Sequence, residues 1–335
     1  MMKIKCMGRT GLKVTEICLG TMTFGNQCDE PTSRAIMDKA FNAGVTFFDT
    51  ADVYPLGATL ETVGRTEEYI GRWLKDRRDQ IVLATKFFGP MGQGPNDKGG
   101  SRKHIFKAVE ESLRRLNTDY IDLYQMHSPD PETPIDETLR ALDDLVHSGK
   151  VLYTGCSNYP AWLLCRALWT SDKLGLARFD CVQPRYNILF RHIEAELLPL
   201  AIDEGIGVIS YNPLAGGLLT GRYQPGQAPS EGTRFTVNNA GKVYQARYWQ
   251  DPQMQAVEKL KAFCHERNIS VAQLAIAWVL AQPAITSAIV GASKPEQLDQ
   301  TLPAVDLVLD EQMLAASDDV WYQLPRERNQ DVAFR

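Results

Sequence analysis

The stretch "GVTFFDTADVY", residues 44–54, decides how the rest of the chain is read. Val45, Phe47 and Phe48 sit in a short β-forming run with almost no polar face, the pattern of a strand buried on both sides. The run ends on Asp49, where a buried strand would normally still be apolar. An ionised carboxylate at such a place is costly unless a cation or hydrogen-bond donors meet it. Tyr54, five residues on, poses the companion question of what a phenol does beside that acid.

Outward from this run, short apolar segments alternate with amphipathic ones. Strands are expected at 17–20 (ICLG), 44–49 (GVTFFD), 81–86 (IVLATK) and 120–126 (YIDLYQM). They continue at 151–157 (VLYTGCS), 179–186 (FDCVQPRY), 205–211 (GIGVISY) and 287–292 (SAIVGA). Between them lie helical patterns, among them 101–117, with apolar residues at 105, 106, 109 and 113. Another spans 133–150, with Pro134 early and Gly149 just past its end, the usual asymmetry of helix termini. Eight strand-like runs, nearly all separated by one helix, point to parallel βαβ units. Eight such units close most simply into a (β/α)8 barrel, with an open doubly wound sheet as the alternative.

No Pro/Gly/Ser-rich linker divides the chain, so residues 1–335 read as one domain, a size usual for a single α/β barrel. The opening "KIKCMGRTGLKVTEI" reads as a β-hairpin turning at Thr10 and Gly11. Segments 88–101 and 215–250 read as large loops after strand ends, where loops shape an active site.

Composition narrows the function classes. At 44% hydrophobic and 23% charged, the chain is ordinary for a globular protein with a large core. A net charge of −5 argues against a nucleic-acid surface. No apolar run reaches the roughly 18 residues needed to span a bilayer, and the opening residues lack a secretory signal's apolar core. Seven cysteines without a CxxC pair suit a reducing cytoplasm, and five scattered histidines without HxxxH spacing give no metal site. The glycine cluster at 89–100 contains Gly92-x-Gly94, but Asp97 stands at the third position of a dinucleotide fingerprint, so it reads as a loop.

Polar residues collect at the C-terminal ends of the expected strands: Asp49, Lys86, His127, Ser157 with Asn158, Gln183, Tyr211, and Gly291 to Ser293. In a barrel these ends share one mouth, where the chemistry is done. A tyrosine with an ordinary pKa near 10 is a poor acid at neutral pH until a cation sits beside it. Lys86 is expected to lower the Tyr54 pKa, with Asp49 holding Lys86 charged and in place. His127 adds a hydrogen bond to a substrate oxygen. Such a set suits protonation of a carbonyl oxygen while a nicotinamide cofactor, the one group able to supply hydride, delivers it. A glycoside-hydrolase barrel would need paired acids at the strand ends, where this chain has one acid, a lysine, a histidine and amides.

"FFDTADVY", "LATKF", "LYQMH", "GCSNY" and "YNPLAGGLLTGRY", in that order, resemble the aldo-keto reductase superfamily, in its bacterial and potassium-channel β-subunit-like branch. The resemblance runs from "RTGLKVTEICLGTMTFG" to "GASKPEQL", about nine-tenths of the chain. It implies a (β/α)8 barrel that binds NADPH without a Rossmann fold, and a tetrad of Asp49, Tyr54, Lys86 and His127 with Tyr54 as general acid. By the same resemblance, Ser157, Asn158 and Gln183 hold the nicotinamide carboxamide, Tyr211 stacks on its ring, and Gly20, Thr21 and Met22 border it. Asn212, Leu214, Gly216 and Arg222 line the pyrophosphate; Gly291, Ser293, Lys294 and Gln297 hold the 2′-phosphate and adenine. The chain departs from the family's Glu-Asn at 300–301, with Gln300 left to contact adenine and Thr301 in place of the Asn.

Phe24 and Phe87, with Tyr54 and His127, are expected to line the substrate pocket, and Phe88, Tyr159 and Trp249 are further aromatic candidates. Asp52, between two tetrad residues, reads as a solvated loop acid. The expected partner is a small carbonyl substrate; a homo-oligomer stays open. An NADP(H)-binding regulatory subunit with slow or vestigial turnover is the alternative function.

Overall fold

The apolar runs become strands that close on themselves. The computed structural model describes residues 2–325; Met1 and 326–335, also covered by the single-domain reading, lie outside the described residues. A two-stranded hairpin, β1 (Ile4–Cys6) with β2 (Lys13–Thr15), precedes the barrel. The barrel strands are β3 (Ile17–Gly20), β4 (Phe47–Asp49), β5 (Val82–Phe87), β6 (Ile121–Met126), β7 (Val151–Ser157), β8 (Phe179–Gln183), β9 (Gly207–Ser210) and β10 (Ile285–Gly291). They pair in parallel in chain order, and β10 closes the ring against β3. This is the (β/α)8 barrel, not the open sheet.

The helices α1 (Glu30–Asn42), α2 (Arg65–Leu74), α3 (Arg102–Leu116), α4 (Ile135–His147), α5 (Ala161–Leu174) and α6 (Leu197–Asp203) follow successive strands. After β9 come α7 (Asn238–Tyr248), α8 (Asp251–Glu266) and α9 (Val271–Leu280); α10 (Glu296–Thr301) and α11 (Glu311–Gln323) follow β10. Local chemistry sets their ends. Ser101 Oγ accepts the His104 N–H at the start of α3, and Asn117 takes a left-handed conformation, φ 51°, at its end. No helix among the described residues is long and apolar enough to cross a membrane.

Strand alternation builds the site. Cys18, Phe47, Ala84, Leu123, Cys181, Ile209 and Ile289 pack together inside the barrel, with Met7 and Val14 of the hairpin segment completing that core. Two residues further along four of those strands, on the same inward face, stand Asp49, Lys86, Gln125 and Gln183. A polar layer thus caps an apolar one at the C-terminal end. The register sets Lys86 opposite Gln125 across β5 and β6, and Ser157 opposite Gln183 across β7 and β8.

Several boundaries differ from expectation. The run expected through Tyr186 breaks as a strand after Gln183, at Pro184, which has no N–H to give, and continues only as an isolated bridge between Arg185 and Tyr211. The pairing of the 44–49 run begins only at Phe47. Segment 88–101 forms no regular element, and none of its residues lines the cleft described below. Segment 215–250 instead contains a 3-10 turn, Ala215–Thr220, and α7, and contributes much of that cleft.

Candidate active site

At the barrel mouth an open cleft of 1040 Å³ runs from the strand ends beneath α7 toward the start of α10. Gly20, Thr21, Met22, Asp49, Tyr54, His127, Ser157, Asn158 and Gln183 line its floor. Tyr211, Asn212, Leu214, Gly216, Arg222, Gly291, Ser293, Lys294, Gln297 and Gln300 line the remainder. The cleft therefore gathers every residue singled out at the strand ends except Lys86, which is fully buried beneath it.

Lys86 answers the demand of Asp49. Its Nζ lies 2.5 Å from Asp49 Oδ1 and donates to the Thr50 carbonyl at 2.8 Å. The second carboxylate oxygen accepts from Gln183 Nε2 at 2.9 Å and from Gln125 Nε2 at 3.1 Å. Asp49 thus has one cation and two amide donors, the full set that a buried carboxylate needs. Burial works against the Lys86 ammonium, but Asp49 and Tyr54 outweigh it and hold its pKa above the ordinary lysine value. Lys86 Nζ also stands 5.1 Å from the centre of the Tyr54 ring.

The expected net lowering of the Tyr54 pKa is not found, although Lys86 acts in the expected direction. Burial is the largest influence and raises it; Lys86 pulls it back without reversing the sign. Tyr54 therefore keeps its proton at neutral pH. The His127 ring packs edge-on to Tyr54, with centres 5.8 Å apart. Burial first and then the Lys86 charge push the His127 pKa down to about 3, so its imidazole is neutral. Around His127 the hydrogen bonds form a chain: Tyr211 Oη donates to Asn158 Oδ1 at 2.7 Å, and Asn158 Nδ2 donates to the His127 carbonyl at 2.9 Å.

A nicotinamide dinucleotide fits the donor set along the rest of the cleft. Asn212 Nδ2 is buried there without a hydrogen-bond partner. Gly216 and Gly217 hold left-handed φ values of 71° and 104° inside the turn after β9, conformations that let backbone amides approach a ligand closely. Arg222, Arg234 and Lys294 bring positive charge to the same wall.

Three readings are corrected. Phe24 and Phe87 do not line the cleft: both are fully buried, and Phe87 packs on Tyr124 with ring centres 4.8 Å apart. Tyr159 and Trp249 are likewise engaged in packing, Tyr159 against Phe179 and Trp249 against Tyr223 and Phe235, and Phe88 is also absent from the lining. Asp52 is not a solvated loop acid but fully buried. The sequence reading also missed Gln125, Arg234, Tyr244 and Arg247. Gln125 was detectable, since alternation along β6 turns it inward beside Lys86; Tyr244 and Arg247, three apart on α7, share a helix face. Arg234, 3.4 Å from Asn212 Oδ1, carries no local signal in its loop.

These elements define a carbonyl-type oxidoreductase barrel, and the comparisons agree. The aldo/keto reductase family model matches residues 16–322, and the chain belongs to that family. It is 41% identical over 327 residues, 96% of each chain, to "Uncharacterized oxidoreductase YrpG" of Bacillus subtilis. It is 40% identical, over 92% of each chain, to "Probable voltage-gated potassium channel subunit beta" of Arabidopsis thaliana. It is 33% identical to "L-glyceraldehyde 3-phosphate reductase" of Escherichia coli, over 91% of this chain and 88% of that one.

Proposed function

We propose that the protein, as one barrel unit over its whole length, is an NADPH-dependent reductase of aldehyde and ketone carbonyls. The observation that carries this reading is the buried Asp49–Lys86 pair beneath Tyr54, at the floor of a cleft with cationic walls. When bound, NADPH supplies the hydride. Gly20, Thr21, Met22, Ser157, Asn158, Gln183 and Tyr211 are the residues proposed to hold its nicotinamide end. Asn212, Leu214, Gly216 and Arg222 are proposed for the pyrophosphate, and Gly291, Ser293, Lys294, Gln297 and Gln300 for the 2′-phosphate and adenine.

Tyr54 gives its phenolic proton to the carbonyl oxygen. Lys86 stabilises the phenolate left behind, and Asp49 keeps Lys86 charged and aimed. Neutral His127 hydrogen-bonds the same oxygen and fixes its direction. General-acid work of this kind contributes about 10² to 10⁴-fold in rate. The setting we propose is a reducing cytoplasm.

The test is NADPH oxidation screened over aliphatic, aromatic and dicarbonyl substrates. Turnover with at least one class is expected; NADPH binding without turnover on any of them overturns the reading. That outcome would favour the second reading, an NADP(H)-binding regulatory subunit with vestigial turnover, which the similarity to proteins named as channel β subunits supports.

A further inference from the structure

Behind the tetrad, on the outer side of the same barrel wall, lies a second buried polar cluster. Its strand members neighbour the inward-facing polar layer and are turned outward by strand alternation, and Asp52 joins them from the loop after β4. Thr85 precedes Lys86, Tyr124 precedes Gln125, and Asp52 stands two residues before Tyr54. Glu67 of α2 and Arg115 of α3 complete the group. Glu67 Oε2 accepts from Arg115 Nε at 2.7 Å, and Glu67 Oε1 accepts from Thr85 Oγ1 at 2.6 Å.

Counting charges decides the state of Asp52. The cluster holds two carboxyls and one guanidinium. Arg115 is committed to Glu67, both being almost fully buried, and its remaining acid contact is Glu111 on the exposed side, at 3.8 Å. Both Asp52 oxygens are buried without a hydrogen-bond partner of good geometry, and so is the Tyr124 hydroxyl. Lys86, across the wall, is committed to Asp49. A second buried carboxylate with no cation is the arrangement proteins avoid by keeping the proton. Burial, then the neighbouring Glu67, push the Asp52 carboxyl well above the usual range, with Arg115, the Val53 N–H and Lys86 pulling weakly the other way.

The backbone ties this cluster to the proton donor. The Asp52 N–H donates to the Lys86 carbonyl at 3.0 Å, and the Gly64 N–H donates to the Tyr54 carbonyl at 3.0 Å. Gly64 opens α2 with φ 88°, and a Cβ there would lie 2.7 Å from Arg115 Cδ. The turn that carries Tyr54 is therefore held between β5, through the Asp52 N–H, and the Gly64–Arg115 contact at the start of α2, with the Asp52 side chain fully buried in it.

We propose that Asp52 is a positioning residue, an uncharged carboxylic acid buried behind the tetrad whose turn is bonded to the Lys86 carbonyl, and that it fixes the Tyr54 turn relative to Lys86. It acts through Tyr54 and touches no substrate. The kinetic part of its test rests on the carbonyl-reduction reading given above.

Infrared difference spectra of the wild-type protein against Asp52→Asn at neutral pH are expected to show a protonated-carboxyl band that the variant lacks; no such band overturns the proposal. Hydrogen exchange followed by mass spectrometry is expected to show faster exchange over residues 50–66 in Asp52→Ala and wild-type protection in Asp52→Asn. Equal protection in all three proteins overturns the positioning role. In the reductase assay, Asp52→Ala lowers kcat by about tenfold to 10²-fold, the effect of a misplaced reacting group, with KM and NADPH affinity unmoved. Asp52→Asn restores the rate and the wild-type pH profile. An Asp52→Asn as impaired as Asp52→Ala means that charge is required and overturns the proposal. Should Asp52→Ala fail to fold, the infrared band and the Asp52→Asn kinetics decide. Should the wild-type protein reduce no carbonyl, the functional reading fails, while the infrared and exchange results still decide this one.

Discussion

Replacing Lys86 with Met removes one cation from two partners at once. Asp49 keeps Gln125 and Gln183 but loses the ammonium 2.5 Å away, and breaking a buried pair from one side destabilises by about 3–5 kcal/mol. Tyr54 loses a positive charge 5.1 Å from its ring centre, worth about 3 kcal/mol of phenolate stabilisation at an effective dielectric of ~20. That energy converts to about 10²-fold in rate at fixed pH. The pH dependence has a definite sign: burial already raises the Tyr54 pKa, and without Lys86 nothing nearby offsets it, so the rising limb of alcohol oxidation moves to higher pH. Steady-state kcat/KM against pH, in the oxidation direction with NADP+, reads the catalytic effect; denaturant unfolding reads the stability. Adding Asp49→Asn removes the stranded carboxylate, so the double variant regains stability and stays inactive. An unchanged pH profile in Lys86→Met would refute the coupling to Tyr54. A single variant as stable as wild type would refute the pairing with Asp49.

Three further outcomes follow from the same geometry. His127 is neutral in the fold, with a pKa near 3 against an ordinary value near 6.5, so folding stability is full above pH ~6.5 and is lost as pH falls toward 3. His127→Asn should flatten that acid limb in thermal unfolding; an unaltered limb contradicts the assignment. Asp52 has the opposite sense. An acid whose folded pKa is raised loses folding stability as pH rises above the ordinary carboxylate value, so the melting temperature of Asp52→Asn should gain on wild type as pH climbs to neutral. Lys294 is exposed, so Lys294→Ala should weaken NADPH binding by about tenfold, the low end for a charge-assisted hydrogen bond, and leave NADH binding unchanged. Fluorescence titration at two salt concentrations checks this, with the wild-type preference shrinking at high salt.

Three members of the polar layer at the barrel mouth, Asp49, Lys86 and Gln183, were legible because each interrupts an apolar run at its end. Asp49 after two phenylalanines and Lys86 after "LAT" are anomalies that a buried strand does not tolerate without partners. Gln125 hid inside "YIDLYQM", where it passes for strand interior until the inward face is known. Phe87 was misplaced although the rule was at hand: it follows inward-facing Lys86, and a period of two turns it toward the helices. Asp52 was misread for a different reason. A loop residue between two functional ones shows no period, and whether it meets water or the α2–α3 layer depends on a packing contact made by Glu67 and Arg115 far along the chain. Arg234 is the extreme case, brought to the cleft by the course of a long segment after β9.

In the proposed reaction Tyr54 donates the proton while the bound cofactor gives the hydride. Single-turnover reduction of an aldehyde by the NADPH-loaded protein tests it most directly, with wild type and Tyr54→Phe compared after their NADPH affinities have been matched by fluorescence titration. Equal NADPH binding is expected, with a rate in Tyr54→Phe lower by at least about 10²-fold, the loss typical of removing a general acid. A Tyr54→Phe protein that keeps more than about a tenth of the wild-type rate would contradict it.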